Sequence, residues 1–306
     1  MRKVVCIMGA TASGKTGLSI RLAKRFGGEI ISSDSMQIYR GMDIGTAKPD
    51  LAERDGVPHH MLDILDPGED FSAARYAELA GECVEEIMAR GRMPIVAGGT
   101  GLYVDALLGA RSFEEQPDTA AVRLRLQQEA EEKGCVWLYE KLRTVDPERA
   151  AKLHPNDEKR VIRALEIFET TGETATERDR RAAARPPRYD SVKIGLDWPD
   201  RAALYARIDL RVELMLQEGL LEEAARVRAM QPGRTALQAI GYKELFRYFD
   251  GQCSLEEAKE DIARESRRYA KRQLTWLRKD PDIHWLNAED ADALFASACR
   301  IIEQNY

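Results

Sequence analysis

The sequence predicts an α/β protein, a parallel sheet flanked by helices and interrupted by a mostly helical insertion, on three observations. Short apolar runs alternate with stretches of helical spacing through about the first 110 residues. Strand signal then nearly vanishes until an alternating segment at 191–197 (SVKIGLD). The apolar run at 3–8 breaks into a glycine loop and then GLSIRLAKRF, whose spacing is helical. Strands alternating with helices in this way build a parallel sheet covered on both faces.

Taken in order, a second strand is expected at 29–32, ending in the polar cluster Ser32-Ser33-Asp34-Ser35. Residues 41–60 are rich in Gly, Pro and Asp and read as a long loop, of the kind that is usually functional. A strand is expected at 60–65, and a helix over 71–90 with Ser72 as its cap. A buried strand at 94–97 runs into Gly98-Gly99-Thr100-Gly101 and a further helix. The insertion offers charged helical stretches at 120–133, 136–144 and 156–171, and closes on the basic linker ERDRRAAARPPRYD. After the returning strand at 191–197 come helices at 201–217, 220–230, 236–249 and 255–278, a strand at 283–286 and a last helix. The expected division is a core of residues 1–112 and 191–306 and a helical insertion of residues 113–190.

Composition narrows the class. A hydrophobic fraction of 44% and a charged fraction of 32% describe a globular chain with a charged surface. No run approaches the roughly 20 apolar residues of a membrane span, so no membrane partner is expected. The basic start and apolar stretch at the N-terminus resemble a signal peptide, but the stretch stops at the glycine loop, which favours a buried strand. Cys6, Cys83, Cys135, Cys253 and Cys299 are scattered, odd in number and without CxxC pairing, which fits a reducing cytoplasm and neither zinc nor disulfides. His154 and the pair His59-His60 lack the spacing of a transition-metal site. A net charge of −6 argues mildly against nucleic acid as a partner, though it would not register a basic strip on an acidic body.

The strongest local signal is Gly9-Ala10-Thr11-Ala12-Ser13-Gly14-Lys15-Thr16, a full GxxxxGK[ST] match between a strand and a helix. Its glycines let backbone N–H groups turn inward, the helix N-terminus and Lys15 add positive charge, and the Thr16 hydroxyl can ligate Mg²⁺. Such a P-loop binds a diphosphate and says nothing of the reaction. Nucleotide hydrolases place an aspartate after an apolar strand to hold the metal. Here the candidate strand PIVA runs into Gly98-Gly99-Thr100 without an acid, and the acid is Asp34, after the second strand. In a parallel sheet both strand ends face the ligand crevice, which brings Asp34 and Thr100 near the phosphate loop. From spacing alone, Asp34 also fits a loop-stabilising aspartate and Thr100 a plain turn residue.

Several further blocks join the phosphate loop: ISSDSMQIYRGMDIGTAKP from Ile31, PHHMLDILDP from Pro58, PIVAGGTGLYVDALL from Pro94, HPNDEKRVIRALEIFETTG from His154, LYARIDLRVELML from Leu204, ALQAIGYKEL from Ala236 and YAKRQLTWLR from Tyr269. Together, and in this order along nearly the whole chain, they resemble the tRNA dimethylallyltransferase family in its bacterial form. The C-terminal zinc finger of some eukaryotic relatives has no counterpart in cysteine–histidine spacing here. The resemblance implies a P-loop sheet core and transfer of a dimethylallyl group from dimethylallyl diphosphate to N6 of the adenosine 3′-adjacent to the anticodon of tRNA. It implies that Gly9–Thr16 hold the donor's diphosphate, with Thr11, Ser13, Lys15 and Thr16 nearest, and that Arg207 contacts it as well. It implies Asp34 as general base and Thr100 as the residue holding the adenine amine. It places Ser35, Met36 and Gln37 in substrate recognition, and Arg123, Lys159, Arg160, Arg163, Gly241, Tyr242, Lys271, Arg272 and Gln273 in stretches that contact tRNA. Mg²⁺ on Thr16, an anticodon stem-loop partner and a monomer complete the expectation.

The chemistry suits these residue types. An adenine amine is a poor nucleophile, so stabilising the departing diphosphate is the larger lever, and a carboxylate can accept the N6 proton. A stacked base cannot reach a sheet-edge crevice, so it must be flipped out, and basic surface must grip the backbone around it. Two basic stretches could serve: Arg264, Arg267, Arg268, Lys271, Arg272 and Arg278 on one helix, and Arg178, Arg180, Arg181, Arg185 and Arg188 in the insertion. Both read equally as solvated charge; Tyr269 and Trp276 on the first helix could stack on bases, but on an amphipathic helix they fit the core better. The competing functional readings are a small-molecule or nucleotide kinase, because phosphate loops more often serve ATP, and an RNA-binding protein without catalysis.

Overall fold

A computed structural model of the chain describes residues 3–109 and 119–306. Contacts cluster into two units, one running to Leu108 and resuming over Tyr189–Tyr306, the other Gly109–Arg188. The expected start of the insertion at residue 113 lies outside the described residues.

The first unit begins with β1 (Lys3–Gly9), α1 (Lys15–Phe26), β2 (Gly28–Ser32), α2 (Leu51–Arg54), β3 (His59–His60), α3 (Ala73–Ala89), β4 (Met93–Gly98) and α4 (Gly101–Leu108). The second unit holds α5 (Ala120–Lys133), α6 (Cys135–Val145), α7 (Pro147–Ala150), α8 (Glu158–Thr171) and α9 (Ala175–Ala183). The chain returns through β5 (Asp190–Asp197), α10 (Arg201–Gln217), α11 (Leu220–Ala229), α12 (Tyr242–Phe249), α13 (Leu255–Leu277), β6 (Ile283–Asn287) and α14 (Ala291–Asn305).

The six strands form one sheet of order β3-β2-β4-β1-β5-β6, and every pairing is parallel. β1 is apolar on both faces because both are covered. Val4, Cys6 and Met8 pack on one side with Tyr76, Val84 and Ile87 of α3 and Leu107 of α4. Val5 and Ile7 pack on the other with Leu18 and Leu22 of α1 and Ile302 of α14. Truncating Ile7, which is fully buried, to Ala would cost about 2–5 kcal/mol. The sheet's layout matters for function: the neighbouring strands β2, β4 and β1 release their carboxyl ends side by side.

Three expectations change. The strand at 60–65 shrinks to His59–His60, because Met61 (φ 61°) and Asp63 (φ 56°) take left-handed turns that a strand cannot hold. The helix at 236–249 is divided: a 3₁₀ turn over Ala236–Gln238 precedes α12, and Gly241 at φ 100° separates them. The basic linker is in part a helix, α9, started by a reciprocal cap between Thr174 and Glu177. Ser72 caps α3 as expected, its hydroxyl accepting from the Arg75 N–H at 3.2 Å. No described helix is long and apolar enough to cross a membrane.

The second unit has its own core, in which Leu126, Leu138, Leu142, Val161 and Leu165 are buried. Beneath it lies Glu166, a fully buried carboxylate bound by Arg123 at 2.7 Å and Arg163 at 2.9 Å.

Candidate active site

The phosphate loop follows directly from β1. Ala12 (φ 61°) and Gly14 (φ 97°) take left-handed conformations that curl the chain into the start of α1. Ser13 is buried with its hydroxyl unpartnered, while Thr16 stands exposed in the first helical turn. The Lys15 ammonium donates to the Ala10 carbonyl at 2.5 Å. Burial, followed by the positive charge of Arg211, lowers the Lys15 pKa to about 8, against the opposing pull of Asp34.

Three elements brace this loop. The Trp198 indole donates to the Ser13 carbonyl at 3.3 Å, and Arg207 stacks on Trp198 while donating to the Ala12 carbonyl at 3.2 Å. From α13, the Gln273 side chain accepts from the Thr11 N–H at 2.8 Å and donates to the Gly99 carbonyl at 3.1 Å. Arg211 of α10 reaches the Thr11 hydroxyl at 3.5 Å.

Thr100, past the end of β4, bonds to Ser33 and Ser35, the residues on either side of Asp34, and lines neither of the site's two cavities. Gly98 makes the approach possible, since a Cβ there would lie 2.4 Å from the Ser33 carbonyl oxygen. The Thr100 N–H donates to the Ser33 carbonyl at 3.1 Å, and its hydroxyl accepts from the Ser35 N–H at 3.2 Å. One oxygen of Asp34, Oδ1, accepts from the Met36 N–H at 2.9 Å and the Gln37 N–H at 3.4 Å. The turn-stabilising role is therefore real, and it uses one carboxylate oxygen.

Two cavities share this wall. The larger, about 340 Å³, is lined by Thr11, Asp34, Ser35 and Met36, by the apolar side chains Ile208, Val212, Met215 and Ile262, and by Gly241 and Arg272. The smaller, about 90 Å³, is lined by Lys15, Thr16, Ser32, Gln37 and His59. Thr11, Asp34, Thr46, Arg211 and Tyr269 border both. The smaller chamber holds Lys15 and is the more polar of the two, the larger is about half apolar, and the Asp34 carboxylate borders both. Burial, followed by the negative charge of Asp34, pushes the Tyr269 phenol up to about 12. Burial also lowers the pKa of Arg211, opposed first by Asp34.

Several expected contacts fall elsewhere. Tyr242 is fully buried and donates its hydroxyl to Glu223 at 2.7 Å, so it is no surface for RNA. Gln273 is also buried and fully used in bracing loops. The Gln37 amide is committed to Thr46, Ala47 and Ser32. Lys271 and Arg272 are exposed on α13, and Arg272 lies 5.7 Å over the Tyr269 ring. Much of the basic run around them is paired: Arg264 with Asp261, Arg267 with Asp209, Arg268 with Glu265 and Arg278 with Asp197. In the helical unit, Arg178 is buried, while Arg180 pairs with Glu148 and Arg181 with Glu173. Lys159 and Arg160 are exposed on α8, Arg160 pairing with Asp157. His59, His60 and His154 bond locally to the Val57 carbonyl, Glu29 and the Asn156 N–H.

Arg211 and Tyr269 are the site residues that sequence reasoning missed. Arg211 interrupts the stripe Leu204, Ile208, Val212, Met215 on α10, and a lone cation within an apolar stripe was the available signal. Tyr269, whose spacing fits the core better than base stacking, is only partly buried and lines both cavities.

A family model described as IPP transferase matches residues 37–280. The tRNA dimethylallyltransferase of Bacillus subtilis is 49% identical over 289 residues, covering 93% of this chain and 90% of that protein. The one from Acetivibrio thermocellus is 46% identical over 295 residues, covering 96% and 94%. Among solved structures, the full-length tRNA isopentenylpyrophosphate transferase from Bacillus halodurans superposes with a TM-score of 0.75 at 44% identity, over 100% of this chain and 97% of that one. A eukaryotic dimethylallyltransferase acting on tRNA superposes with a TM-score of 0.80 at 33% identity, over 100% of this chain and 79% of that one.

Proposed function

The chain belongs to the IPP transferase family of tRNA dimethylallyltransferases, and from that membership we propose how its sheet-edge site performs the reaction. It is a prenyltransferase acting on tRNA. It moves the dimethylallyl group of dimethylallyl diphosphate to N6 of the adenosine 3′-adjacent to the anticodon, position 37 of tRNA, and releases diphosphate.

In this reading the diphosphate lies against the loop Gly9–Thr16, facing the polar chamber. Its departing charge is met by inward N–H groups, by Lys15 and by Arg211, with Arg207 holding the loop's outer side. The oxygen donors bordering that chamber fit a hard cation, and the Thr16 hydroxyl would hold Mg²⁺ alongside diphosphate oxygens. Bound there, Mg²⁺ would neutralise charge on the leaving group.

The half-apolar chamber takes the prenyl chain and the extruded base. Met36, Ile208, Val212 and Met215 give it walls that exclude water from an electron-poor allylic carbon. Asp34 accepts the N6 proton through the oxygen not spent on its turn, and Thr100, bonded to the backbone on either side of Asp34, helps to hold the amine. Ser35 and Met36 read the base, and Arg272 and Lys271 approach the RNA backbone from α13. In the helical unit, Lys159 and Arg160 offer exposed charge for the same purpose. An anticodon stem-loop is the acceptor this chemistry needs, since loop bases unstack cheaply. Every group invoked belongs to one chain, so a monomer in the cytoplasm suffices.

The observation that carries this reading is the position of Asp34, on the shared wall of the chamber that holds Lys15 and the half-apolar one. Mass analysis of tRNA after incubation with dimethylallyl diphosphate tests it. An added dimethylallyl mass on one adenosine is expected; unmodified tRNA, with ATP consumed instead, would favour a kinase.

A further inference from the structure

We propose that Gln273 is the positioning residue that sets the phosphate loop against the Thr100 turn, and so fixes the donor's distance from the acceptor amine. The proposal rests on the functional reading above and adds to it a buried side chain on the wall of the smaller chamber.

The β1–β4 ladder ends where Met8 pairs with Gly98. Beyond that point one side chain bonds to both loops. Gln273 Oε1 accepts from the Thr11 N–H at 2.8 Å, and Nε2 donates to the Gly99 carbonyl at 3.1 Å. A primary amide is suited to this place because it carries an acceptor and a donor on one carbon; a carboxylate lacks the donor, and a thioether lacks the donor and accepts only weakly. Exchanging its oxygen and nitrogen would set donor against donor and acceptor against acceptor, so the partners fix its orientation.

The surrounding backbone is shaped to admit the amide. A Cβ on Gly99 would lie 2.0 Å from Gln273 Nε2, and one on Gly101 would lie 2.4 Å from the Trp276 ring. α13 therefore lies tight against the turn on both sides of Thr100. One helical turn before Gln273, the Tyr269 side chain lies close to Thr100 and Gln273 and lines both cavities. The helix itself is anchored, with Ala270 and Leu277 buried.

Sequence reasoning placed Gln273 among tRNA contacts, but it is 6% exposed and both ends of its amide are engaged. Its effect must pass through the loops it joins. A misplacement of about 1 Å between reacting groups costs on the order of 100-fold in rate.

The test compares Gln273→Met, Tyr269→Phe and, as a control on the exposed side of the same helix, Thr275→Ala. For each, the melting temperature, the affinity for inorganic diphosphate, the KM for tRNA and the single-turnover rate at saturating tRNA and dimethylallyl diphosphate are measured. Gln273→Met is expected to lower the saturated rate by about 100-fold, with tRNA KM and diphosphate affinity within about threefold of wild type. Tyr269→Phe, which removes the hydroxyl close to Thr100 while sparing both bonds of the amide to the loops, lowers the saturated rate by about tenfold and carries the test should Gln273→Met not fold. An unchanged saturated rate with a raised tRNA KM would make Gln273 an RNA contact and overturn the proposal. So would a fall in melting temperature alone. Wild-type protein that leaves tRNA unmodified would overturn the functional reading itself, before any variant is compared.

Discussion

Asp34 and Thr100 are fastened to the same short stretch of backbone: Thr100 Oγ1 accepts the Ser35 N–H at 3.2 Å, and Asp34 Oδ1 accepts the Met36 N–H at 2.9 Å. The carboxylate is thus both a turn cap and the proposed base, and the two roles separate on substitution. Asp34→Asn keeps an acceptor for Met36 but cannot take a proton. Its single-turnover rate should fall about 10²–10⁴-fold with little change in melting temperature. Asp34→Ala should lose the same rate and, in addition, about 0.5–1.5 kcal/mol of stability, read by denaturant unfolding.

Arg211 and Arg207 lie one turn apart on α10 and face different surroundings. Arg211 borders both cavities beside Lys15 and Thr11, whereas Arg207 is exposed and grips the loop from outside. Arg211→Gln should therefore lose on the order of 3 kcal/mol of transition-state stabilisation, measured as kcat/KM for the donor. Arg207→Gln should lose less than half of that.

The depressed pKa of Lys15, about 8, predicts how diphosphate binding responds to pH. The ammonium is charged below that value and gives up its proton as pH rises through it, while a bound anion holds the proton to higher pH. Affinity for inorganic diphosphate should accordingly fall from pH 7 to 9.5 relative to a Lys15→Arg variant, which stays charged throughout. Parallel curves for the two proteins in titration calorimetry would refute the assignment.

Tyr242 looked like an RNA contact in sequence and is instead part of a support. Its hydroxyl donates to Glu223, whose carboxylate also accepts the N–H groups of Asp43, Ile44 and Gly45 at 2.9–3.0 Å. Tyr242→Phe should leave a buried carboxylate short of one donor and cost about 1–3 kcal/mol of stability, with tRNA affinity nearly unchanged once the folded fraction is counted.

Arg123 offers a parallel case in the helical unit. It and Arg163 neutralise the buried Glu166, so Arg123→Ala should destabilise the protein by about 1–3 kcal/mol in denaturant unfolding. Lys159→Ala, on the exposed face of α8, should instead reduce the salt dependence of tRNA binding by about one unit of slope with stability intact.

Local rules reached far in this chain. The phosphate loop, five of the six strands, the Ser72 cap and the adjacency of Asp34 to Thr100 all follow from period, cap and strand-end arguments, because each depends on neighbours in sequence. What escaped depends on long-range partners. Lys271 and Gln273 are two residues apart on α13, one exposed and the other buried against a loop 262 positions away, and nothing in KRQ separates them. The basic runs likewise looked available until Asp209, Glu148 and Asp197, distant in sequence, came to lie against them. The lost strand after His60 fell to two left-handed residues, Met61 and Asp63, neither of them a glycine that would have marked the turn.

The central claim is that the phosphate loop holds a leaving group while Asp34 faces the attacking amine. A crystal structure with an anticodon stem-loop and diphosphate bound tests it most directly. The account predicts diphosphate oxygens along the loop from Ala12 to Thr16 and an unstacked adenine with N6 within hydrogen-bonding distance of Asp34. Diphosphate bound away from that loop, or a base held with N6 turned from Asp34, would contradict it.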